Sequence, residues 1–226
     1  MDDQYSINVD CSKLCGDIVD LNERFSNAIY NGCFQHAIDL VKHEQCNPNS
    51  TRLSKGGNKP KLWTALHQCA FLGASEETIK AFVKLGTFKS LKNSDGQTAY
   101  DIAVSKNRPE EILAALKLPA DVIENKEAIE KMEAKLHEHI LSRVETLIKE
   151  NNQALPQISP LWEMEEPSLY YSVPGMYGGF CLTRDQEKRL VSESWSRVCG
   201  GSEQEIVIDH DGNVIDCNAE ADLGFS

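Results

Sequence analysis

The feature that most constrains this chain is an internal repetition. Thr64-Ala65-Leu66-His67-Gln68-Cys69-Ala70 returns as Thr98-Ala99-Tyr100-Asp101-Ile102-Ala103-Val104, an offset of 34 residues. A period of this length marks a supersecondary unit that buries its apolar face only against a neighbouring copy. In each copy Thr opens a short helix, and a small residue, Cys69 or Ala103, sits where helices must approach closely. A second apolar helix follows, read over Glu76 to Lys84 with Ile79, Phe82 and Val83 on one face. Its counterpart runs from Pro109 to Lys117 with Ile112, Leu113 and Leu116. Both have i, i+3, i+4 spacing, and Pro109 falls in a first turn, where its missing N–H costs nothing. Leu85-Gly86 and Asn93-Ser94-Asp95-Gly96-Gln97-Thr98 read as the intervening turn, with Gly96 supplying the backbone conformation.

These phrases resemble the ankyrin-repeat family, whose period is about 33 residues. A weaker copy lies upstream, where Phe25 matches Leu66, Ala28 matches Cys69 and Gly32 matches Gly73. Cys46-Asn47-Pro48-Asn49 there resembles the family's Asp-Pro-Asn turn. Three copies are about the minimum for a stable stack, so residues near 21 to 118 are expected to form one. His67 matches the family's histidine, whereas Asp101 replaces it in the last copy, which predicts a looser turn there. The resemblance implies a binding protein that holds its partner on the turns, or fingers, and on the concave surface of the first helices.

The first finger departs from the pattern. Glu23 to Thr64 spans 41 residues, seven more than the next period, and the extra length falls in Ser50 to Lys61, with four basic and no acidic residues. Composition alone reads this segment as a mobile, solvated loop. Its charge makes it the candidate contact to an acidic partner. Across the chain 23 Lys and Arg face 35 Asp and Glu, a net charge of −12, and seven of the acids follow Gly200, where no Lys or Arg occurs. Such a surface repels phosphate backbones and anionic membranes, which argues against nucleic acid and membrane partners.

From about Asp121 to Glu150 there is neither Pro nor Gly, and Ile129, Met132, Leu136, Ile140, Val144 and Leu147 recur every three or four residues. The spacing predicts one amphipathic helix of about 25 to 30 residues that caps the stack or bridges to the next module. A homodimeric coiled coil is the alternative. Beyond Pro167 the pattern changes to short β-rich runs, Leu169 to Val173, Gly179 to Leu182, Leu190 to Arg197 and Glu205 to Ile208, and Asp211-Gly212 signals a hairpin. Pro174 to Phe180 and Ser192 to Arg197 look like a tail module found after ankyrin repeats in bacterial proteins, and Trp195 reads as a buried core aromatic. The expected fold is therefore α+β: an ankyrin-type helical stack over 1–118, a long connecting helix over 119–155 and a small antiparallel β module over 156–226.

Chemistry is weakly signalled. Cys199 beside Gly200-Gly201-Ser202 could be a nucleophile with His210 and Asp209 or Asp211, but proximity in sequence does not bring a thiolate to a base. Cys181, Cys199, His210 and Cys217 lack paired zinc-ligand spacing. Asp209 to Asn213 suggests a calcium loop until Val214 occupies the position where Gly is needed. His137 and His139 are i, i+2 and share no helix face. Arg184, Lys188, Arg189 and Arg197 near Trp195 and Tyr177 could form a cationic aromatic pocket for a carboxylate or phosphate. Eight cysteines without regular spacing, and an acidic N-terminus with no apolar segment behind it, suit free thiols in a reducing cytoplasm.

The expected function is thus that of a monomeric adaptor without catalytic residues, cofactor or metal. It would act in the cytoplasm, or in a host cell if the chain is a bacterial effector. Its partner-binding strip is read as Arg52, Lys55, Lys59, Lys61 and Trp63 from one finger, and Lys89, Lys92, Asn93 and Gln97 from the next, facing an acidic patch on a protein partner. The alternative is an enzyme or ligand-binding tail module delivered by the repeats.

Overall fold

A computed structural model describes residues 12, 14–55, 58–196 and 203–216. Helices and an antiparallel sheet occupy separate stretches of the chain, an α+β fold. Two compact units result. One comprises the described residues up to Pro119 together with Asn152–Ala154, and the other comprises Ala120–Asn151 and the described residues from Leu155 onward. The long helix expected to cap or bridge falls in the same unit as the sheet.

The helical unit consists of three pairs: α1 (Gly16–Tyr30) with α2 (Phe34–Glu44), α3 (Ala65–Leu72) with α4 (Glu76–Lys84), and α5 (Ala99–Ser105) with α6 (Glu110–Leu116). The starts of α3 and α5, and of α4 and α6, are both 34 residues apart, so the sequence period is the structural one. First helices pack in a row, α1 on α3 and α3 on α5, and second helices in another, α2 on α4 and α4 on α6. Phe25, Leu66, Ile79, Phe82 and Leu116 are fully buried between the rows, and Phe34 meets Phe82 edge to face. Burial of each such side chain contributes about 1.5–3 kcal/mol. Cys69 and Ala103 are fully buried, as close helix approach requires.

The turns are held by buried polar side chains. Thr64 donates its backbone N–H (3.1 Å) and its hydroxyl (2.7 Å) to His67 Nδ1, and His67 Nε2 donates to the Gln97 carbonyl (3.0 Å), which ties one turn to the next. This pattern needs a neutral ring, and burial pushes the His67 pKa down to about 4. In the last copy the Asp101 carboxylate accepts from Thr98 N (2.8 Å) and Oγ1 (2.7 Å). The turn expected to be looser is closed locally by the same capping geometry. At the end of α3, Gly73 has φ +78°, and a Cβ there would lie 2.6 Å from Arg108 Nη1. Arg108 uses that space to donate to the orphan carbonyls of Ala70 (2.8 Å) and Phe71.

In the other unit the single helix expected over 121–150 is divided. α7 (Ala120–Glu124) ends at Asn125, whose Nδ2 bonds the Asp121 carbonyl (2.7 Å) and carboxylate (2.9 Å), and α8 (Lys126–Glu150) follows. The buried stripe of α8 runs through Ile129, Met132, Leu136, Ile140 and Val144 to Ile148, not Leu147. Val144, with φ −139° and ψ 23°, interrupts the helix and re-phases its last turns. A 3-10 turn (Ser159–Trp162) leads into the meander β1 (Ser168–Val173), β2 (Gly178–Arg184), β3 (Leu190–Ser196), β4 (Gln204–Ile208) and β5 (Val214–Asp216), each strand antiparallel to the next. Leu169, Tyr171, Phe180, Leu182, Leu190, Ile206 and Ile208 are buried.

Trp195 is only half-buried and belongs to the opposite face of β3 from buried Ser192 and Ser194, so its reading as a core aromatic is corrected. It stacks on Tyr170 with centroids 5.4 Å apart. The two rings flank Gly179, where a Cβ would lie 2.9 Å from Tyr170 Oη. Among the described residues, no helix is long and apolar enough to cross a membrane.

Candidate protein-binding groove

The described residues of the inserted finger are tied to the rest of the helical unit by polar contacts. Buried Asn22 on α1 donates Nδ2 to the Thr51 carbonyl (2.9 Å) and accepts from Leu53 N (3.3 Å). Thr51, Leu53 and Ser54 are buried in consequence. From the far side Asn152, itself at φ +46°, donates Nδ2 to the Asn58 carbonyl (2.5 Å) and approaches Ser54 Oγ (3.5 Å). At the end of the finger Leu62 adopts φ +56°, a left-handed conformation that costs a branched apolar residue about 1–3 kcal/mol. The Lys61 carbonyl beside it accepts Ser94 N (3.0 Å) from the next finger, which pins the strained step.

Between α1 and the finger lies a groove of about 380 Å³. Glu23, Ser26 and Asn27 form its helix side, and Arg52, Lys55, Lys59 and Lys61 line its finger side with Leu53, Ser54, Asn58 and Pro60. The structure therefore brings together the four basic residues of the first finger. Lys55 pairs with Glu23 (2.5 Å). Arg52 donates to the neutral Asn27 Oδ1 (2.5 Å), and its guanidinium carbon lies 5.1 Å from the Tyr30 ring centre. Lys59 and Lys61 are exposed and make no ion pair among the described residues.

The remaining expected strip residues divide. Trp63 is half-buried against the helical core and meets Phe71 edge to face at 5.6 Å, so it is a wall of the stack more than a free anchor. Lys89, Lys92 and Gln97 are partly exposed and lie outside the groove lining. Asn93 is buried, and its Oδ1 accepts Asp95 N and Gln97 N at 2.9 Å each. Its role is to hold the turn, and it is removed from the exposed strip. Asn49 ties the first and second repeats in the same way, donating to the Gly86 carbonyl and accepting from Phe88 N, both at 2.9 Å.

Sequence reasoning missed an apolar row beside the groove. Tyr30, Phe71, Leu72 and Val104 are 60, 42, 43 and 48% exposed on α1, α3 and α5. Lys106 Nζ lies 4.4 Å from the Phe71 ring centre, as Arg52 lies over Tyr30, so both rings carry a cation. The signal was present: once Ala28 is matched to Cys69, Tyr30 falls on Phe71, two aromatics at one repeat position.

The chemistry considered for the tail dissolves into structure. Arg184 and Lys188 both reach Asp121 (3.5 and 2.6 Å), Arg184 also stacks over Trp162 (5.5 Å), and Arg189 is taken by Asp185 and Glu187 (2.8 and 3.1 Å). With those cations paired and Tyr177 projecting into solvent, the expected cationic aromatic pocket is not formed by the described residues. Asp209 accepts from Asn213 Nδ2, Asn213 N and Asp211 N, and these bonds, the side-chain one first, hold its carboxyl below the usual range. Asp211 pairs with Lys131 (3.2 Å), and His210 is exposed in the turn. Arg197, Cys199 and Cys217 lie outside the described residues. His137 Nε2 donates to the Pro156 carbonyl (2.7 Å), while His139 meets Phe180 edge to face at 6.2 Å, so the two diverge.

No protein-family model matches the chain, and no curated protein matches it in sequence.

Proposed function

We propose that this chain is a non-enzymatic adaptor of the ankyrin-repeat type that binds an acidic segment of a protein partner through its first finger and the adjoining row of first helices. The observation that carries the reading is the groove, where four cations gather on a chain of net charge −12 and adjoin exposed Tyr30. The matched 34-residue spacing of both helices in a pair, and the His67 bridge between turns, support the repeat assignment. A cation-lined groove beside aromatic surface gives complementarity to acids, with apolar contact supplying affinity. The adaptor is taken to act as a monomer in a reducing compartment, the cytoplasm or that of a host cell. Buried Cys46 and Cys69 suit this as inert thiols, since burial raises both pKa values, that of Cys46 to about 11.

The test is partner capture by the intact chain at low and high salt, against a Lys59→Glu/Lys61→Glu variant. These two lysines are preferred to Lys55, whose reversal would also set a carboxylate against Glu23. Loss of capture and of its salt dependence, with an unchanged melting midpoint, is expected. Full capture by the folded variant would remove the finger from the binding surface.

A further inference from the structure

Resting on that reading, we infer that the groove between α1 and the first finger is a phosphate subsite, which takes a phosphorylated serine or threonine within the partner's acidic segment. Charge is the first argument. The lining holds four cations and one carboxylate, and that carboxylate is engaged by Lys55. A single carboxylate brings one charge and two acceptor oxygens. A phosphomonoester brings close to two charges and three strong acceptor oxygens, which suits a wall presenting a guanidinium and two ammonium groups together.

Donor chemistry is the second argument. Arg52 carries five N–H donors in a planar fork, of which Nη2 is directed to Asn27 Oδ1. Lys59 and Lys61, on either side of Pro60, supply compact, rotatable ammonium donors, and no carboxylate among the described residues neutralises them. The Ser54 hydroxyl also lines the groove.

Preorganisation is the third. Asn22 fixes the entry of the finger by two bonds, Asn152 braces its middle, and the strained Leu62 step is clamped through the Lys61 carbonyl. Mutual repulsion among four like charges in one finger is a standing cost, and a scaffold that holds them in place lowers the ordering cost of binding a polyanion. Recognition of phosphorylated motifs by clustered cations follows the same logic.

Fluorescence anisotropy on the full chain tests this with labelled peptides of Glu and Ala in mixed order around a central phosphoserine, serine or glutamate. A single-stranded oligonucleotide of equal charge serves as a further arm. The phosphoserine peptides are expected to bind about tenfold more tightly than the serine peptides. A Lys59→Ala/Lys61→Ala variant should lose that gain with an unchanged melting midpoint. Equal binding of all three peptide sets overturns the phosphate subsite and leaves the acidic-partner reading standing. A phosphoserine gain that survives in the variant overturns its assignment to this groove, and so does the absence of peptide binding altogether. Tighter binding of the oligonucleotide overturns both this proposal and the protein-binding reading, which partner capture tests independently.

Discussion

The finger of the helical unit and the β2–β3 hairpin of the sheet unit are both rich in cations, and they use them in opposite ways. In the hairpin, Arg184 and Lys188 converge on Asp121, and Arg189 is taken by Asp185 and Glu187. In the finger, Lys55 meets Glu23, while Lys59 and Lys61 make no ion pair among the described residues. Sequence already separates them in part, with four cations and no acid in Ser50 to Lys61 against three cations among Asp185, Glu187 and Glu193 in the hairpin. The fold adds Asp121 to the hairpin and Glu23 to the finger, so pairing together with composition separates a structural charge from one available to a partner.

The same contrast runs through the aromatics, and substitution in the sheet unit can break it. Phe180 is fully buried, and Phe180→Ala is expected to cost about 3–5 kcal/mol in urea denaturation. Trp195, half-buried and stacked on Tyr170 on the other face, should cost only about 1 kcal/mol when replaced by Ala. Equal costs for the two would mean that the outer face is covered, and that exposure is a poor guide to availability in this chain.

Polar burial distinguishes the helical unit further, and pH sharpens the point. The folded-state pKa of His67 lies near 4, below the value of about 6.5 for a free histidine, so the unfolded chain takes up a proton that the folded chain refuses. The stabilising contribution is complete above about pH 6.5 and is lost as pH falls from there to about 4. Its size is of order 3 kcal/mol by linkage. Denaturation midpoints of the intact chain should therefore fall across that window, and His67→Gln should flatten this part of the profile. A profile unchanged by the substitution would show that His67 is protonated as readily in the fold as in the unfolded chain.

How much was legible beforehand follows from the range of the interactions. The 34-residue repeat placed α3 to α6 nearly to the residue, because a stack repeats the same local contacts and periodicity records them. Alternating apolar runs located β1 to β4 for the same reason. The break at Asn125 was invisible, since Asn is tolerated within helices, and here its amide makes two hydrogen bonds back to Asp121 at the end of α7. Asn93 was read as exposed because turn asparagines usually are, whereas here its amide closes the turn from inside. Of the candidate site, the basic finger was legible as charge. Its ties to the helical unit run through Asn22 and Asn152, residues 29 and 94 positions from the backbone oxygens they bond, and no local pattern encodes such distances.

The smallest expected effect on stability is the one that bears most on the site. Arg184 is largely covered, donates Nε to the Leu161 carbonyl (3.1 Å), stacks on Trp162 and reaches Asp121. Arg184→Ala removes packing as well as charge and leaves a carbonyl short of a donor, so a loss of about 1–3 kcal/mol is expected. Lys59→Ala and Lys61→Ala remove exposed ammonium groups that no acid in the described fold holds, and relieve repulsion with Arg52 and Lys55. Their melting midpoints should stay level or rise slightly, most visibly at low salt, where like-charge repulsion is least screened. A midpoint that falls in either lysine variant would mean that the group stabilises the finger, and the distinction between a paired hairpin and an available groove would fail at its decisive residues. A midpoint that rises at low salt and levels off at high salt would show that the fold tolerates this repulsion, as expected of charges whose counter-ions come from a partner.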